Sequence, residues 1–368
     1  MKIPRRLVEL INHRSLLVYS CVATAAALTG CGGQNSTNSA SSDTSNTTTA
    51  STTASDSNAT TNTAADKPSG KPFRVAYNQW IGLVGVFIAK DKGYFKDAGL
   101  DVDFKQFSGP ADGVPPLIAG QLDAALTTAD TPILLGKRAG DNSLSNVYIT
   151  DTSNGADGIV AQKGIASIKD LKGKTVAATK GQVNEFLLLK GLQANGMTES
   201  DVNVTNMDAD ASGAAIVANK IPAAVTWEPW LSKAGSGGAK VIFSSKDAPN
   251  TILDVCTVSK RTLDTKAGDV RAFVAASAKG AEYANAHPAE AAQVASKYFG
   301  TKPAEAKDML TKVKIYGVSD NHRLMGTTSA PGPAFKTVAE IGKFFVSQKS
   351  LDAAPDTAKA FTADYLPK

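Results

Sequence analysis

The chain has 368 residues, of which 42% are hydrophobic and 20% charged, and a formal net charge of +5. This length predicts two folded domains, and the absence of a long Lys/Arg-rich block gives no case for nucleic-acid binding. Its three cysteines and three histidines show no metal-ligand spacing, so we predict no disulfide framework, no metal site and no cofactor.

Residues 1–30 are predicted to be a secretory signal peptide. MKIPRRLVELINHR carries four basic residues against one acid, and the mostly apolar SLLVYSCVATAAALTG follows it. That run is short for a membrane span, which needs about 20 apolar residues. Its end, Leu28-Thr29-Gly30-Cys31, resembles a bacterial lipobox, which implies a lipidated Cys31. The alternative is an ordinary signal peptide with a chance cysteine.

Residues 31–71 consist almost entirely of Ser, Thr, Asn, Ala, Asp and Gly. Such a segment cannot bury enough apolar surface to offset its chain entropy, so we predict disorder. It would act as a flexible tether, roughly 35 Å from end to end, between a lipid anchor and a folded part that begins near Pro72.

The folded part alternates strand and helix patterns. Period-two or short buried runs predict strands in FRVAYN, GLDVDFKQF, LDAALTT and NVYITD, with helices at GLVGVFIAKDKGYF, GPADGVPPLIAG and ADTPILLGKRAG. After TSNGADG the alternation restarts with IVAQKG, KTVAAT, DVNVTN, AAVTW, KVIFSS and TILDVCTVS as strands, and the chain from Leu263 is mainly helical. This βαβ rhythm predicts parallel sheets with helices on both faces.

Two extended crossings, near 152–163 and 251–259, divide this pattern. We therefore predict one lobe from 72–155 plus 255–368 and a second lobe from 156–254. The carboxyl ends of the strands would face a cleft between the lobes, where open α/β sheets bind ligands.

Four segments in one order carry a family resemblance: RVAYNQWIGLVGVFIAKDKGYFKDAGLDVDF, GQLDAALTTADTPI, DLKGKTVAATKGQVNEFLLLKGLQANGM and AAVTWEPWLS. They are similar to solute-binding proteins of nitrate, taurine and aliphatic-sulfonate importers, the NMT1/THI5-like family. The resemblance implies an α/β, two-lobed periplasmic-binding-protein fold of type II that closes on a small nitrogen- or sulfur-containing solute. It also implies an ABC permease and ATPase as partners, a monomer, and a place outside the cytoplasmic membrane.

Candidate ligand residues stand at strand ends and helix starts, where side chains and free backbone N–H groups face a cleft. The candidates are Gln79, Trp80, Thr127, Thr128, Asp130, Ser153, Asp157, Gln182, Asn184, Glu185, Trp227 and Glu228. Sulfonate-specific relatives tend to have hydroxyls where this chain has Gln182–Glu185.

Each group of candidates has a structural alternative. Trp80 could cap the sheet, Asp130 and Glu228 could cap helices, Glu185 could favour its helix dipole, and Ser153–Asp157 could be a hinge. Of Trp227 and Trp230, we expect one to wall the cleft and the other to pack inside.

The charge of the ligand stays open at this point. Asp130, Asp157, Glu185 and Glu228 could reach one cleft, and Lys or Arg is not evident in the same loops. A cationic or urea-like solute such as guanidine is therefore an alternative to nitrate, taurine or a sulfonate.

Two other classes of protein are disfavoured. Thiamine-pyrimidine enzymes of related fold carry a cysteine- and histidine-rich stretch that this chain lacks, so we predict no catalysis. A purely adhesive lipoprotein would need no polar groups gathered at strand ends.

Overall fold

The computed structural model describes residues 67–138, 144–327 and 329–368. The predicted signal peptide, the lipidation of Cys31 and nearly all of the predicted tether lie outside the described residues. Within the described ranges, no helix is both long and apolar enough to cross a membrane.

Two β-sheets organise the chain. The first has six strands in the order β11-β4-β10-β3-β1-β2. These strands are β1 (Phe73–Tyr77), β2 (Val102–Gln106), β3 (Ala124–Thr128), β4 (Leu144–Ser153), β10 (Leu253–Ser259) and β11 (Val313–Ile315).

The second sheet has five strands in the order β7-β6-β8-β5-β9. Its strands are β5 (Asp157–Ala161), β6 (Thr175–Ala178), β7 (Asn203–Asn206), β8 (Ala223–Trp227) and β9 (Lys240–Ser244).

The prediction of parallel sheets is confirmed for only part of each sheet. β1, β2 and β3 are parallel, but β10 lies between β3 and β4 and is antiparallel to both. In the second sheet β5 is inserted between β8 and β9 and is antiparallel to both. Both inserted strands follow directly on a passage between the sheets. The chain therefore enters each sheet against the direction that its βαβ units set.

Twelve α-helices accompany the strands in the described ranges. The first sheet is flanked by α1 (Val84–Asp91), α2 (Tyr94–Asp97), α3 (Val114–Ile118), α4 (Asp130–Arg138), α8 (Lys260–Ala286), α9 (Pro288–Phe299), α10 (Pro303–Leu310), α11 (Val318–Met325) and α12 (Pro333–Ser347). The second sheet is flanked by α5 (Val183–Ala194), α6 (Ala209–Val217) and α7 (Trp230–Ser236).

Each sheet has its own hydrophobic core. In the first, α1 is buried along almost its whole length, with Phe87 stacked on Tyr298 from α9. In the second, the buried Leu187 and Leu188 of α5 belong to one cluster with Val176 and Val225 of the sheet. Because each sheet buries its own apolar set, each is the centre of one lobe.

One buried carboxylate directly before β3, at the opposite end of this strand from Thr128, is paired with two cations. Asp123, which is fully buried, accepts hydrogen bonds from Arg74 and Lys266 at 3.0 Å. Burial alone would raise the pKa of Asp123, but these two cations more than offset it and hold the pKa below its usual value.

The chain passes between the sheets twice, at residues 154–156 and 245–252. The predicted lobe limits, 72–155 with 255–368 and 156–254, stay a prediction; β10 begins at Leu253, two residues before the predicted return.

Candidate functional site

A small cavity lies between the two sheets, and both sheets and the second passage contribute to it. Its lining residues are Asn78, Trp80, Pro110, Thr128, Asp157, Val183, Trp227, Ile252 and Asp254. At about 10 Å³ it has room for roughly one water molecule. A ligand therefore needs some separation of the lobes to enter, and it must be small.

A larger groove of about 530 Å³ lies between α5, α12 and the second passage. Lys190 of α5 and Glu340 of α12 form an ion pair across it at 2.8 Å, and both remain partly exposed. None of its lining side chains is among the buried polar groups without a partner. We therefore take the smaller cavity, which has such groups, as the candidate site.

Strand register brings the cavity residues together. Asp157, at the start of β5, pairs with Trp227 at the end of β8. Asp254, near the start of β10, pairs with Thr128 on one side and Asp151 on the other. The antiparallel insertion of β5 and β10 thus places the first residues of these strands beside the last residues of their neighbours.

Trp80 lines the cavity and is anchored by a carboxylate. Its indole Nε1 donates a 2.9 Å hydrogen bond to Asp151 Oδ1, and the Thr150 hydroxyl donates to Oδ2 at 3.0 Å. A Cβ on Gly82 would lie 2.2 Å from the Asp151 carboxyl carbon. Gly82 is therefore required for Asp151 to come this close to the start of α1.

Asp151 and Asp254 face each other across neighbouring strands. Both are buried register partners, so a proton on one of them relieves the repulsion between their charges. Burial raises the pKa of Asp151 to about 6. Burial together with the charges of Asp151 and Asp157 raises the pKa of Asp254 well above its usual value. Asp254 Oδ2 has no hydrogen-bond partner.

Asp157 is 2% exposed and lines the cavity. Burial raises its pKa to about 7, a hydrogen bond from Ser153 opposes the rise, and the charges of Asp151 and Glu228 add to it. Its Oδ2 atom has no partner. A half-satisfied carboxylate of this kind is costly unless something else pairs with it.

Asp130 begins α4 and is 1% exposed. Its carboxylate lies near the N–H groups of Asp130 itself, Thr131 and Val183 and near the Thr128 hydroxyl, but burial outweighs these and raises its pKa to about 6. Neither carboxylate oxygen makes a hydrogen bond of good geometry, so the contacts with the N–H groups are loose. The Asp130 side chain thus lies where the first turns of α4 and α5 come together.

The two neighbouring tryptophans have different surroundings, although neither is fully buried. Both indole N–H groups donate to Asp210 Oδ1 at 2.8 Å. Trp227 lines the cavity, whereas Trp230 packs on α6, where a Cβ on Gly213 would lie 2.2 Å from its ring. Trp227 is therefore the ring that walls the cleft.

Two predicted contacts use their carboxylates inside the protein. Glu228 accepts from the Ser232 backbone N–H at 3.1 Å and the Ser232 hydroxyl at 2.9 Å, and forms an ion pair with Lys312 at 2.7 Å. Glu185 accepts from Gly181 N–H at 2.7 Å at the start of α5. These bonds fit the structural alternatives weighed above, a helix cap for Glu228 and a position at the helix N-terminus for Glu185.

The remaining candidates differ in their environment. Gln79 is exposed, and Gln182 is half-buried beside α5. Ser153 bonds to Ser245 at 2.7 Å and accepts from Asp157 N–H, which ties the two passages together. Thr127 Oγ1 and Asn184 Nδ2 are buried without partners, so both have free capacity for a hydrogen bond.

Sequence reasoning missed Asp151 and Asp254. Each stands inside a strand rather than in a loop after it, in NVYITDTS and TILDVCTVS. The available signal was a carboxylate within an otherwise apolar or hydroxyl-bearing run, because a buried strand tolerates such a group only with a partner.

No group of three or more His, Cys, Asp or Glu among the described residues is arranged to hold a metal ion.

The sheet order, the two passages and the cavity between them define a two-lobed solute-binding fold. A family model described as "NMT1/THI5 like" matches residues 80–291, more than half of the chain, and the chain belongs to this family.

Among related sequences, a Brucella abortus protein provisionally named a binding protein is 24% identical over 301 residues, covering 80% of this chain and 91% of that protein. A Bacillus subtilis protein provisionally named an aliphatic sulfonates-binding protein is 26% identical over 190 residues, covering 50% of this chain and 56% of that protein.

Solved structures share the fold. The periplasmic aliphatic sulphonate binding protein SsuA of Escherichia coli matches with a TM-score of 0.67 and 18% identity, over 81% of this chain and 94% of that one. The desulfurization enzyme DSZB matches with a TM-score of 0.60 and 14% identity, over 80% of this chain and 97% of that one. Both binding proteins and an enzyme therefore have this architecture, so the site must decide between them.

Proposed function

We propose that the chain is the extracytoplasmic solute-binding component of an ABC importer. It takes up a small polar solute containing nitrogen or sulfur between its lobes and delivers it to a permease driven by an ATPase. The observation that carries this proposal is the cavity whose lining comes from both sheets and the second passage. The relatives named for sulfonates give the class of solute.

The mechanism is a ligand-shifted equilibrium between open and closed arrangements. Thr128 and Trp80 belong to one lobe and Asp157 and Trp227 to the other. A solute that touches both sets favours the closed arrangement by as much as its contacts differ between the two states. The permease would then recognise the closed protein.

Binding without catalysis fits the described groups better than an enzyme does. Cys256, the one cysteine in the described ranges, is buried, and burial raises the pKa of its thiol to about 12. A nucleophilic cysteine needs an accessible thiolate near neutral pH.

Export, lipidation of Cys31 and a monomeric state complete the proposal. Lipidation is supported by the Leu28-Thr29-Gly30-Cys31 sequence. Metabolic labelling with a fatty-acid analogue tests it: wild type incorporates the label and Cys31→Ser does not. Label retained by Cys31→Ser would contradict lipidation at this residue.

A thermal-shift screen of the purified protein, followed by calorimetry, tests ligand binding. The panel contains taurine, isethionate, methanesulfonate, nitrate, guanidinium, ethylammonium, urea and thiamine pyrimidines. A ligand at 1,000 times its dissociation constant adds about 4 kcal/mol to the free energy of unfolding. Thr128→Trp, which fills the cavity, should abolish the shift while the unliganded protein still melts cooperatively. No shift with any compound, or an equal shift in Thr128→Trp, would contradict the proposal.

A further inference from the structure

The cavity between the lobes is lined by acidic side chains that the protein does not pair with a cation. Asp157 and Asp254 line it, are 2% and 6% exposed, and each has one carboxylate oxygen without a partner. Asp151 lies directly behind Asp254 in the sheet, and Asp130 lies at the start of α4. The nine lining residues include no Lys, Arg or His.

Elsewhere two buried carboxylates of the same fold are each paired with a cation, and the buried Asp269 and Glu185 accept hydrogen bonds instead. Asp123 has Arg74 and Lys266, and Glu228 has Lys312. The carboxylates of the cavity differ from Asp123 and Glu228, because their neighbours are hydroxyls, an indole and other carboxylates rather than cations. A buried anion without a counter-ion is expensive, so the cavity lacks a positive partner that the chain itself does not provide.

The natural position for an anionic ligand is already taken. Helix N-termini bind anions through free N–H groups, and α4 and α5 bring such groups together near Val183. The Asp130 carboxylate lies there, close to the N–H groups of Thr131 and Val183. A nitrate or sulfonate in the same place would meet a carboxylate instead of free donors.

The remaining lining suits an organic cation. Trp80 and Trp227 present aromatic surface to the cavity, one from each lobe. A cation over an indole face gains roughly 0.5–2 kcal/mol.

We infer that the solute is a small organic cation with several N–H donors, of the guanidinium or alkylammonium class, held between Asp157 of one lobe and Asp254 of the other. This inference rests on the proposed function and specifies the solute for the same site. Carboxylates on opposite sides of the cleft make the closed state attractive only when a cation lies between them. Without it, closing brings two carboxyl groups together, and they must hold protons to avoid repulsion.

The titration of these groups supports the same conclusion. The groups that act on Asp157 are the Ser153 hydroxyl and the acids Asp151, Glu228 and Asp254. Burial is the main cause of its raised pKa, the Ser153 hydrogen bond opposes the rise, and the charges of Asp151 and Glu228 add to it. A bound cation would lower the pKa values of the cavity carboxylates, so binding would release protons and affinity would rise with pH.

The test compares charge at nearly constant shape. Guanidinium chloride is titrated at up to about 10 mM, far below the molar range that unfolds proteins, alongside urea, ethylammonium, methanesulfonate, nitrate, Mg²⁺ and Ca²⁺. Taurine is paired with isethionate, which has a hydroxyl in place of the ammonium group. We expect guanidinium or ethylammonium to bind, and urea, methanesulfonate and nitrate not to bind. If taurine binds, it should do so through its ammonium group, and isethionate should not bind.

Asp157→Asn keeps the shape and removes the charge. It should weaken cation binding about 10- to 100-fold, while the melting temperature of the unliganded protein stays equal or rises at pH 8. The matched control is Asp264→Asn, an exposed carboxylate paired with Lys260 on α8, which should leave affinity unchanged. A merely structural role for Asp157 would instead lower the melting temperature and leave the affinity unaffected.

Three results would overturn the inference. Urea binding as tightly as guanidinium would remove the role of charge. Binding of methanesulfonate, nitrate or isethionate in place of the cations would leave the solute-binding function intact but refute a positively charged solute. Binding of Mg²⁺ or Ca²⁺ alone would refute an organic cation as the solute. If no compound in either panel binds, the proposed function itself fails.

Discussion

Asp157 couples the protonation of the cleft to folding stability. Its pKa is about 7 in the folded protein, against about 3.9 in an unfolded chain. The folded state therefore keeps a proton that the unfolded state has released, and stability falls as pH rises from about 4 to about 7. Asp130, with a folded pKa of about 6, acts in the same direction.

We predict that unliganded protein is less stable at pH 8 than at pH 5.5, by on the order of 1–3 kcal/mol. Asp157→Asn should flatten this dependence, and Asp264→Asn should not. Urea unfolding at both pH values measures the difference. A wild-type protein whose stability rises over this interval would contradict the assignment of unpaired carboxylates to the cleft.

The sequence predicted site residues well where they lie at the end or start of a strand, and less well where they lie within a strand. Trp80, Thr128, Asp157 and Trp227 stand at strand ends or starts, and all four line the cavity. Whether each touches a ligand stays a prediction. Asp254 was missed because its placement depends on β10 being inserted antiparallel between two strands, which no local pattern in the sequence specifies.

The start of α7 depends on an ion pair between a buried carboxylate and a partly exposed lysine. Glu228 caps this helix through Ser232 and is paired with Lys312, whose carbonyl accepts from Asn154 N–H at 2.8 Å in the first passage. Lys312 also contacts Asp308 at 2.8 Å and is 29% exposed.

We predict that Lys312→Met destabilises the protein by about 1–3 kcal/mol, because it leaves a buried carboxylate without its cation; the partial exposure of Lys312 keeps the cost below that of a fully buried pair. Glu228→Gln should cost less and should leave ligand affinity within about twofold. Denaturant unfolding and calorimetry measure the two effects. A large loss of affinity in Glu228→Gln would return this residue to the ligand site.

Most helices and strands were predictable because their apolar spacing is strong, as in α5 and β3. β11 was not: Val313–Ile315 is a three-residue strand in the region from Leu263 that was expected to be mainly helical. Such a short edge strand forms because β4 offers it a partner, and its sequence carries little signal of its own.

Closure of the two lobes should be visible in tryptophan emission. The chain has three tryptophans, and Trp80 and Trp227 line the cavity from opposite lobes while Trp230 packs on α6. We predict that a bound solute changes the emission of wild type and of Trp230→Phe alike, and that Trp227→Phe loses a large part of the change. An emission change that disappears only in Trp230→Phe would place the ligand elsewhere.

The two-lobed architecture followed from the sequence through the restart of the strand–helix rhythm after TSNGADG and through the family resemblance. The orientation of the inserted strands did not, because it is set by how the chain returns across the passages at 154–156 and 245–252. Those strands supply the unpaired carboxylates, so the position of Asp157 and Asp254 in one cavity could not be predicted from the sequence alone.

Calorimetric titration of wild type with guanidinium at pH 7, repeated in buffers of different ionisation enthalpy, tests the central claim most directly. Binding should release protons to the buffer, because a cation lowers the raised pKa of Asp157 and its neighbours. Binding of methanesulfonate or nitrate with proton uptake, and no heat from guanidinium or ethylammonium, would contradict it.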